Sequence, residues 1–438
     1  MTLERALERR ARGEYREALR ELRGAADDVE VLLELSRLHE DLGDYDEAAR
    51  VARRTVELAA GTALAPLALS RKAATERAQR RPHDAEGTAV QAESLARRGG
   101  DESALAEALV ELGTTRLELA RLDDADAAFH EAQPPAEHAV GLRGDRCRFG
   151  LRIGIGAVAR DRGRYPEAER ELRQAIAQAE RCFGEHALET AAGLNALGMV
   201  FKYSGRFDEA RELYDRALAV LERAVGTDHP DVASLYHNLG GLEHARGRYA
   251  DAESYARRSV EIRRRSLGPE HPSVAEDEAA YGSILFALRR DEEAEPLFRH
   301  AIDVLPRVLG PDHPEVAVNL NNLAALLQRK GDLEAAEAAY RRALAAKERV
   351  VGPDHPSVAT TLNNLAVVVR RLGRADEAEV LYRRALAIFE GRVEPSHPNL
   401  ALTVRNYSKF LRAAGRVEEA NELGRVVGPR DVAGAEEL

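Results

Sequence analysis

The sequence predicts an all-α protein built from repeated antiparallel helix hairpins. Charged residues make up 32% of the 438 residues, aromatic residues only 5%, and tryptophan is absent. This composition is typical of amphipathic helices, because a sheet-rich core is enriched in β-branched and aromatic residues. The dipeptide His-Pro also recurs at a constant spacing, at 229–230, 271–272, 313–314, 355–356 and 397–398. Composition and period together indicate a helical repeat array.

A second phrase recurs in phase with His-Pro and supplies the other half of each unit. It reads Gly205-Arg-Phe-Asp-Glu-Ala in one repeat and returns, with variations, from Gly247, Gly331, Gly373 and Gly415. Five periods stay in register. The chain is therefore expected to carry two helices in each repeat, with one break at each phrase.

One unit shows how proline and glycine residues define the ends of two helices. Pro314 suits the first position of a helix, and the preceding His313 can cap the free amides. Gly331 is expected to end this helix in a left-handed conformation, after which a second helix runs from near Asp332 to about Val351. The first helix has an apolar stripe at Val316, Leu320, Leu323, Ala324 and Leu327. A single hairpin cannot bury such a stripe, whereas stacked hairpins can.

The repeats resemble the tetratricopeptide (TPR) family. Small residues recur at Ala210, Ala252, Ala294, Ala336 and Ala378, an aromatic residue follows four later at Tyr214, Phe298, Tyr340 and Tyr382, and Leu197-Gly198 and Leu239-Gly240 match the family's Leu-Gly pair. The long repeat, with Leu-Asn-Asn-Leu-Ala and Gly-Pro-Asp-His-Pro, is similar to kinesin light chain repeats over residues 185–423. This resemblance implies a right-handed superhelical solenoid of about eleven TPR-like units.

The front of the chain is less regular than the rest. Gly13 and Gly43 begin equivalent phrases that lie closer together than those of the regular repeats, and residues 61–98 look like a degenerate hairpin broken near Pro82. One further unit, with Leu112-Gly113, lacks the turn glycine, and a kink is expected over 133–144. We predict shorter hairpins in 1–60, degenerate hairpins in 61–140, the regular array in 141–427 and a disordered acidic tail in 428–438.

The candidate ligand groove follows from the resemblance, which implies that the first helices of successive hairpins line a concave face. On the Pro314 helix, Asn321 and Gln328 fall on a stripe beside the core. Applying the constant repeat spacing to Asn321 and to Gln328 gives two columns of equivalent positions along this face. Lys409 lies beside the C-terminal end of the columns. The candidate groove residues are Asn195, Lys202, His237, His244, Phe286, Asn321, Gln328, Asn363, Arg370, Arg405, Lys409 and Arg412, and the first column also passes through Ala279.

The chemistry of these columns predicts a polypeptide ligand. A carboxamide such as that of Asn321 or Asn363 both donates and accepts hydrogen bonds, so it can pair with an extended backbone. The basic C-terminal residues favour acidic groups on that ligand. The alternative is that Asn321 and Asn363 are merely solvated and the arginines are ordinary surface charge. The second asparagine of each pair (Asn322 and Asn364, with Asn238 and Asn406 in phase) is expected to bond to the neighbouring hairpin.

Several classes of function are not indicated. The net charge is −11 with interspersed signs, so neither nucleic acid nor an anionic membrane is an expected partner. No apolar segment is long enough to span a membrane, the start of the chain does not resemble a signal peptide, and two isolated cysteines suit a reducing compartment, so a cytoplasmic location is predicted. One histidine per repeat does not make a metal site, and capping explains the His-Pro histidines better. No catalytic motif or cofactor signature occurs.

We therefore predict a non-catalytic adaptor or sensor that binds a peptide or protein segment in its concave groove. Two alternatives remain open at this stage. The chain could be a self-assembling scaffold that associates through its C-terminal face. It could also be a regulatory array that works with a separate effector enzyme or DNA-binding regulator.

Overall fold

The computed structural model describes residues 2–22, 28–390, 392–393 and 397–425, and in these residues all regular structure is α-helical. Twenty-two helices in the described ranges form eleven antiparallel hairpins. Their bounds are α1 Thr2–Ala11, α2 Tyr15–Leu22, α3 Val29–Asp41, α4 Tyr45–Ala59, α5 Ala65–Ala78, α6 Pro82–Gly99, α7 Glu102–Glu118, α8 Leu122–His138, α9 Gly141–Asp161, α10 Tyr165–Cys182, α11 Leu188–Tyr203, α12 Phe207–Val225, α13 Pro230–Ala245, α14 Tyr249–Leu267, α15 Pro272–Ala287, α16 Asp291–Leu309, α17 Pro314–Lys330, α18 Leu333–Val351, α19 Pro356–Arg371, α20 Ala375–Glu390, α21 Pro398–Ala413 and α22 Val417–Leu423. Odd-numbered helices are the first helices of the hairpins, and even-numbered helices are the second.

The chain divides into two compact units. Unit 1 is Met1–Ile284 and unit 2 is Leu285–Leu438, with the boundary inside α15. Within each unit, a hairpin packs on the hairpins before and after it, as stacking of incomplete cores requires. No helix in the described residues is long and apolar enough to cross a membrane.

The predicted caps are confirmed at all five His-Pro sites. In each, the histidine precedes the helix and its Nδ1 accepts a hydrogen bond from the backbone N–H two residues later. The donor nitrogens are those of Asp231 (3.1 Å), Ser273 (3.2 Å), Glu315 (3.3 Å), Ser357 (3.1 Å) and Asn399 (3.3 Å). The neutral imidazole thus satisfies one of the free amides at the helix start, and the following proline needs no partner.

The turn between the two helices of a hairpin requires a left-handed residue. Gly331, which we expected to end its helix, has a φ of 90°, and the glycines that begin the other recurring phrases also have positive φ. Three hairpins place Arg80, Ala120 or Arg289 there instead, with φ of 57°, 58° and 63°. The hairpin that lacks the turn glycine therefore keeps the same turn with Ala120, and it does so against the preference of an L-residue.

In two hairpins, an aromatic ring of the second helix packs on a glycine sixteen positions earlier. A Cβ at Gly198 would lie 2.6 Å from the Tyr214 ring, and one at Gly113 would lie 2.6 Å from the ring of Phe129. Both rings are fully buried. At Gly113 and Gly198, this close approach explains the glycine, because a side chain there would overlap the ring as it is placed.

The arginine that often follows the turn glycine joins neighbouring hairpins. Arg374 contacts both oxygens of Glu337 at 2.8 Å, and Glu337 lies on the second helix of the preceding hairpin. In the next repeat, Arg416 contacts both oxygens of Glu379 at 2.8 Å. In these repeats, the glycine of the Gly-Arg pair adopts the turn conformation and the arginine forms an ion pair with the preceding hairpin.

Two irregular segments differ in how well the sequence predicted them. The break near Pro82 is confirmed, since α5 ends at Ala78 and α6 begins at Pro82. We expected a kink from Gln133, but α8 continues through Pro134 and Pro135 to His138. The helix ends within one turn of Pro135, so few amide hydrogen bonds are lost. The last helix ends at Leu423 and not near Val427, and the predicted tail 428–438 lies outside the described residues.

Candidate functional site

The first helices form the face on which the predicted groove residues lie. In unit 2, α17 contacts α19 and α19 contacts α21, so these three helices line one continuous surface. In unit 1, α3, α5, α7, α9, α11 and α13 follow one another in the same way.

In unit 2, the candidate side chains provide a polar surface with a basic C-terminal part. Asn321, Gln328, Arg370 and Arg405 are half-buried, whereas Lys409 and Arg412 are exposed. The Gln328 side-chain oxygen accepts a hydrogen bond of 3.4 Å from the Tyr340 hydroxyl, and Arg412 donates to Asn421 at 3.4 Å. Phe286 is half-buried, with the Arg329 guanidinium 3.5 Å from the centre of its ring.

Asn363 has a different environment from Asn321. It is only 1% exposed, its amide nitrogen donates to Asn364 at 3.2 Å, and its oxygen accepts from Asn406 at 3.1 Å. Our placement of Asn363 on an open groove is therefore wrong, because its side chain is used in packing between hairpins. The expectation that Asn406 bonds to the neighbouring hairpin is confirmed, and Asn364 pairs within its own helix.

In unit 1, the basic candidates are one lysine and two histidines. Lys202 is half-buried, and burial, with a contribution from Arg160, lowers the pKa of its ammonium group. Burial and the Lys202 charge likewise lower the pKa of His244. Asn195 accepts a hydrogen bond of 2.8 Å from Asn238, as expected for the second asparagine of a pair. Ala279 is buried and offers no polar group.

His237 is held by a buried acid on the next first helix. Its Nδ1 lies 2.8 Å from Oδ1 of Asp277, which is 1% exposed and also accepts from Arg263 at 3.0 Å. Two repeats later the same three positions carry Asn321, Thr361 and Lys347. There Lys347 donates to the Thr361 hydroxyl at 2.8 Å, and that hydroxyl donates to Asn321 at 3.5 Å. A groove side chain is thus oriented by the following hairpin in both units.

Unit 1 contains a central cavity that the sequence did not predict. Its volume is about 630 Å³, within the range typical of small-molecule sites. The charged residues that line it are Arg10, Arg37, Glu40, Asp41, Arg71, Arg77, Arg80, Glu118, Arg146, Glu189, Asp231, Arg263 and Glu276. They come from hairpins distributed throughout unit 1, so the cavity is an open one lined mainly by first helices from both ends of this unit.

Ion pairs connect the cavity residues over long distances in the sequence. Arg10 contacts Asp41 at 2.8 Å and Glu189 at 2.9 Å, and both terminal nitrogens of Arg146 contact Glu34, at 2.8 and 2.9 Å. Although burial alone would raise it, the pKa of Glu34 is well below its usual range because Arg146, Arg10 and Arg37 surround it.

The α1–α2 hairpin contacts later repeats of unit 1 directly. The Tyr15 hydroxyl accepts a hydrogen bond of 2.9 Å from the backbone N–H of Leu188, at the start of α11. A Cβ at Gly184 would lie 2.8 Å from the backbone oxygen of Ala11, so the two segments are in close contact. Leu188 and Ala224 complete the apolar cluster of this hairpin. Unit 1 therefore has contacts beyond those between successive hairpins.

The cavity could not be found from the repeat pattern. Its first-helix positions in the regular part, Ala192, Ser234 and Glu276, follow the constant repeat spacing but share no chemistry. Its arginines lie mainly in the irregular front, where no period relates one to another. The only available signal was a charged residue, such as Glu34 or Arg71, within an otherwise apolar helical stripe.

The architecture described above defines a helix-hairpin repeat protein with its candidate binding surface on the first helices. The chain belongs to the tetratricopeptide repeat family. One tetratricopeptide repeat model matches six overlapping segments that together span residues 150–426, and a second matches residues 3–63. No curated protein matches the sequence.

Solved structures show the same type of repeat. RapI in its apo form matches with a TM-score of 0.51 and 15% identity, over 82% of this chain and 96% of that chain. The nearly identical TPR-like repeats of a kinesin light chain candidate from Podosopora anserina match with 23% identity and a TM-score of 0.40, over 45% of this chain and 94% of that one. BtubC (BKLC) from P. vanneervenii gives 23% identity and a TM-score of 0.41, over 54% of this chain and 91% of that one.

Proposed function

We propose that the first-helix face of unit 2 binds an extended segment of another polypeptide, and that the protein is a non-catalytic adaptor or sensor. Tetratricopeptide repeat proteins generally mediate protein–protein interactions, and this chain is a member of that family. The observation that supports the proposal most is the row of half-buried polar side chains on α17, α19 and α21.

Asn321 is well suited to contact a ligand backbone. Its side-chain oxygen lies 3.5 Å from the Thr361 hydroxyl, whose single hydrogen is shared with the Ser357 carbonyl at 3.3 Å. A carboxamide has two donor hydrogens and two acceptor lone pairs, so capacity remains for a ligand N–H or C=O. Gln328 lies two turns further along the same helix and offers a second amide. The two groups lie about 10 Å apart along the axis of α17, so an extended peptide that crosses α17 obliquely would meet both.

The charge of the same face favours acidic ligands. Arg370 is half-buried, and Lys409 and Arg412 are exposed on the neighbouring first helix α21. Complementary charge speeds association and excludes partners of the wrong sign, and it does so more reliably than it adds affinity. We expect the selected ligands to carry Asp or Glu on the side that contacts α21.

The experiment is selection of random twelve-residue peptides displayed on phage against the purified full chain. The wild type is compared with an Asn321→Ala/Gln328→Ala variant and with an Arg383→Ala variant, which changes an exposed residue of a second helix in the same unit. We expect the wild type and Arg383→Ala to enrich the same acidic peptides. The double variant is expected to bind those peptides at least tenfold more weakly, with unchanged helicity by circular dichroism.

Two results would count against the proposal. Enrichment of the same peptides by all three proteins would locate peptide binding outside the Asn321–Gln328 surface. A complete lack of enrichment by the wild type would argue against peptide binding at this face.

A further inference from the structure

The central cavity of unit 1 contains guanidinium groups whose hydrogen-bonding capacity is incompletely used. Arg71 is 5% exposed and lines the cavity, and one of its terminal nitrogens contacts Glu40. Its Nε–H group has no acceptor among the residues that the structure describes. The Nε–H groups of Arg80 and Arg146, which line the same cavity, also lack one within the described ranges. Buried donors are normally satisfied, by protein groups, water or a ligand.

The three arginines Arg37, Arg71 and Arg146, hereafter the arginine cluster, also repel one another. Burial and the Arg37 charge lower the pKa of both Arg71 and Arg146, and that of Arg71 falls to about 9. Neighbouring carboxylates are present, since Arg146 pairs with Glu34 and Arg37 lies 3.5 Å from Glu107. Despite these acids, the pKa values of Arg71 and Arg146 remain lowered. A further anionic group beside the arginine cluster would be stabilised.

We propose that the central cavity of unit 1 binds a small ligand through an oxyanion group, a carboxylate or a phosphate, held by the arginine cluster. Guanidinium groups suit this role because their planar donor edges match the oxygens of either anion. A cavity of about 630 Å³ admits a molecule larger than a single phosphate, so the oxyanion is one end of the ligand. The site is separate from the peptide surface proposed for unit 2.

The test is isothermal titration calorimetry of the full chain with inorganic phosphate and, separately, with citrate. Sodium chloride holds the ionic strength constant, because exposed charges respond to salt in general. We expect saturable binding of at least one anion at a single site. Binding of phosphate alone would indicate a phosphorylated ligand, and binding of citrate alone would indicate a carboxylate. A titration with neither anion binding above the chloride control would overturn the proposal and leave water as the occupant.

Variants assign the binding to the cavity. Arg71→Gln is combined with Glu40→Gln, so that no carboxylate loses its partner, and this pair of changes should weaken anion binding at least tenfold. Arg342→Gln, at an exposed arginine of α18 outside both proposed sites, is the matched control and should leave it unchanged. If the first variant is not helical by circular dichroism, Arg37→Gln with Glu107→Gln replaces it, at a less buried member of the arginine cluster. Anion binding that survives in a folded cavity variant would refute the assignment.

Discussion

Phe129 is clamped between glycines of two neighbouring hairpins, and Gly154→Ala tests how tightly. The ring lies in α8, with Gly113 of α7 on one side and Gly154 of α9 on the other. A Cβ at Gly154 would lie less than 3 Å from three ring atoms, 2.7 Å in the case of Cε2, and one at Gly113 would lie 2.6 Å from Cε1. The ring therefore cannot move away from a new methyl group on either side.

The expected magnitude follows from two opposing effects. Overpacking a filled core costs about 1–3 kcal/mol, whereas replacing glycine by alanine inside a helix gains about 1 kcal/mol. Gly154→Ala should therefore lower the free energy of unfolding by up to about 2 kcal/mol. The matched control is Gly87→Ala in α6, where a Cβ would meet no atom within 4 Å. The control should gain up to about 1 kcal/mol, because only the helix propensity changes.

Hydrogen–deuterium exchange measures the effect locally, which suits a repeat array in which hairpins open separately. Amides of α7–α9 should exchange about ten times faster in Gly154→Ala than in the wild type, and those of α6 should exchange more slowly in Gly87→Ala. Phe129→Leu should partly rescue Gly154→Ala, so that the double variant loses less than the two single losses added. Slower exchange of α7–α9 in Gly154→Ala would refute the clamp, because the ring would then have room.

Three further predictions concern a turn and two titrating groups. Ala120→Gly should raise the free energy of unfolding by about 0.5–1 kcal/mol, because the exposed Ala120 holds a φ of 58°; chemical denaturation that shows a loss would mean the turn is not strained. Burial raises the pKa of the Tyr382 phenol to about 12, against the effect of Arg370. Because the phenol ionises near pH 10 in the unfolded state, about 3 kcal/mol of stability should be lost between pH 10 and 12. The drop in melting temperature from pH 8 to pH 11 should therefore be smaller in Tyr382→Phe than in the wild type. An equal drop in melting temperature in the two proteins would contradict this prediction. Burial, Arg80 and Arg263 lower the pKa of His271 to about 4, so the unfolded chain takes up a proton first and stability falls as the pH drops from 6.5 towards 4. His271→Asn keeps a capping acceptor and should show a smaller drop in melting temperature over that range, whereas an identical drop would exclude His271 as a source.

The sequence predicted most of the fold because each hairpin is specified locally. Pro314 and Gly331 mark the ends of α17 in the sequence and in the structure, since the constraints that they impose act on their own backbone. The turn at Ala120 was harder to recognise, because there the packing of the hairpin overrides the preference of the residue. The continuation of α8 through Pro134 and Pro135 was missed because the prolines lie near the end of the helix, where they remove few amide hydrogen bonds.

The site was less predictable than the fold, since exposure depends on the neighbouring hairpins. Asn321 and Asn363 occupy equivalent positions in the repeat, yet only Asn363 is paired with an asparagine of the next first helix. Asn364 and Asn406 are the equivalent asparagines on the next first helices, but of these two only Asn406 donates to the asparagine of the helix before it. The orientation of such a side chain cannot be read from the repeat pattern. The arginine cluster was missed because it forms only when distant hairpins of unit 1 are brought together.

The hydrogen bond between Tyr15 and Leu188 has a consequence for how the chain is made. These residues are 173 positions apart, and Arg10 and Glu189 form an ion pair across a similar interval. A simple repeat array can fold hairpin by hairpin as it leaves the ribosome. Here the α1–α2 hairpin emerges before α11 but cannot complete its contacts until α11 has been synthesised. During that interval the side of its apolar cluster that Leu188 and Ala224 cover remains exposed. The α1–α2 hairpin is therefore translated before the later hairpins of unit 1 but reaches its final environment only with them.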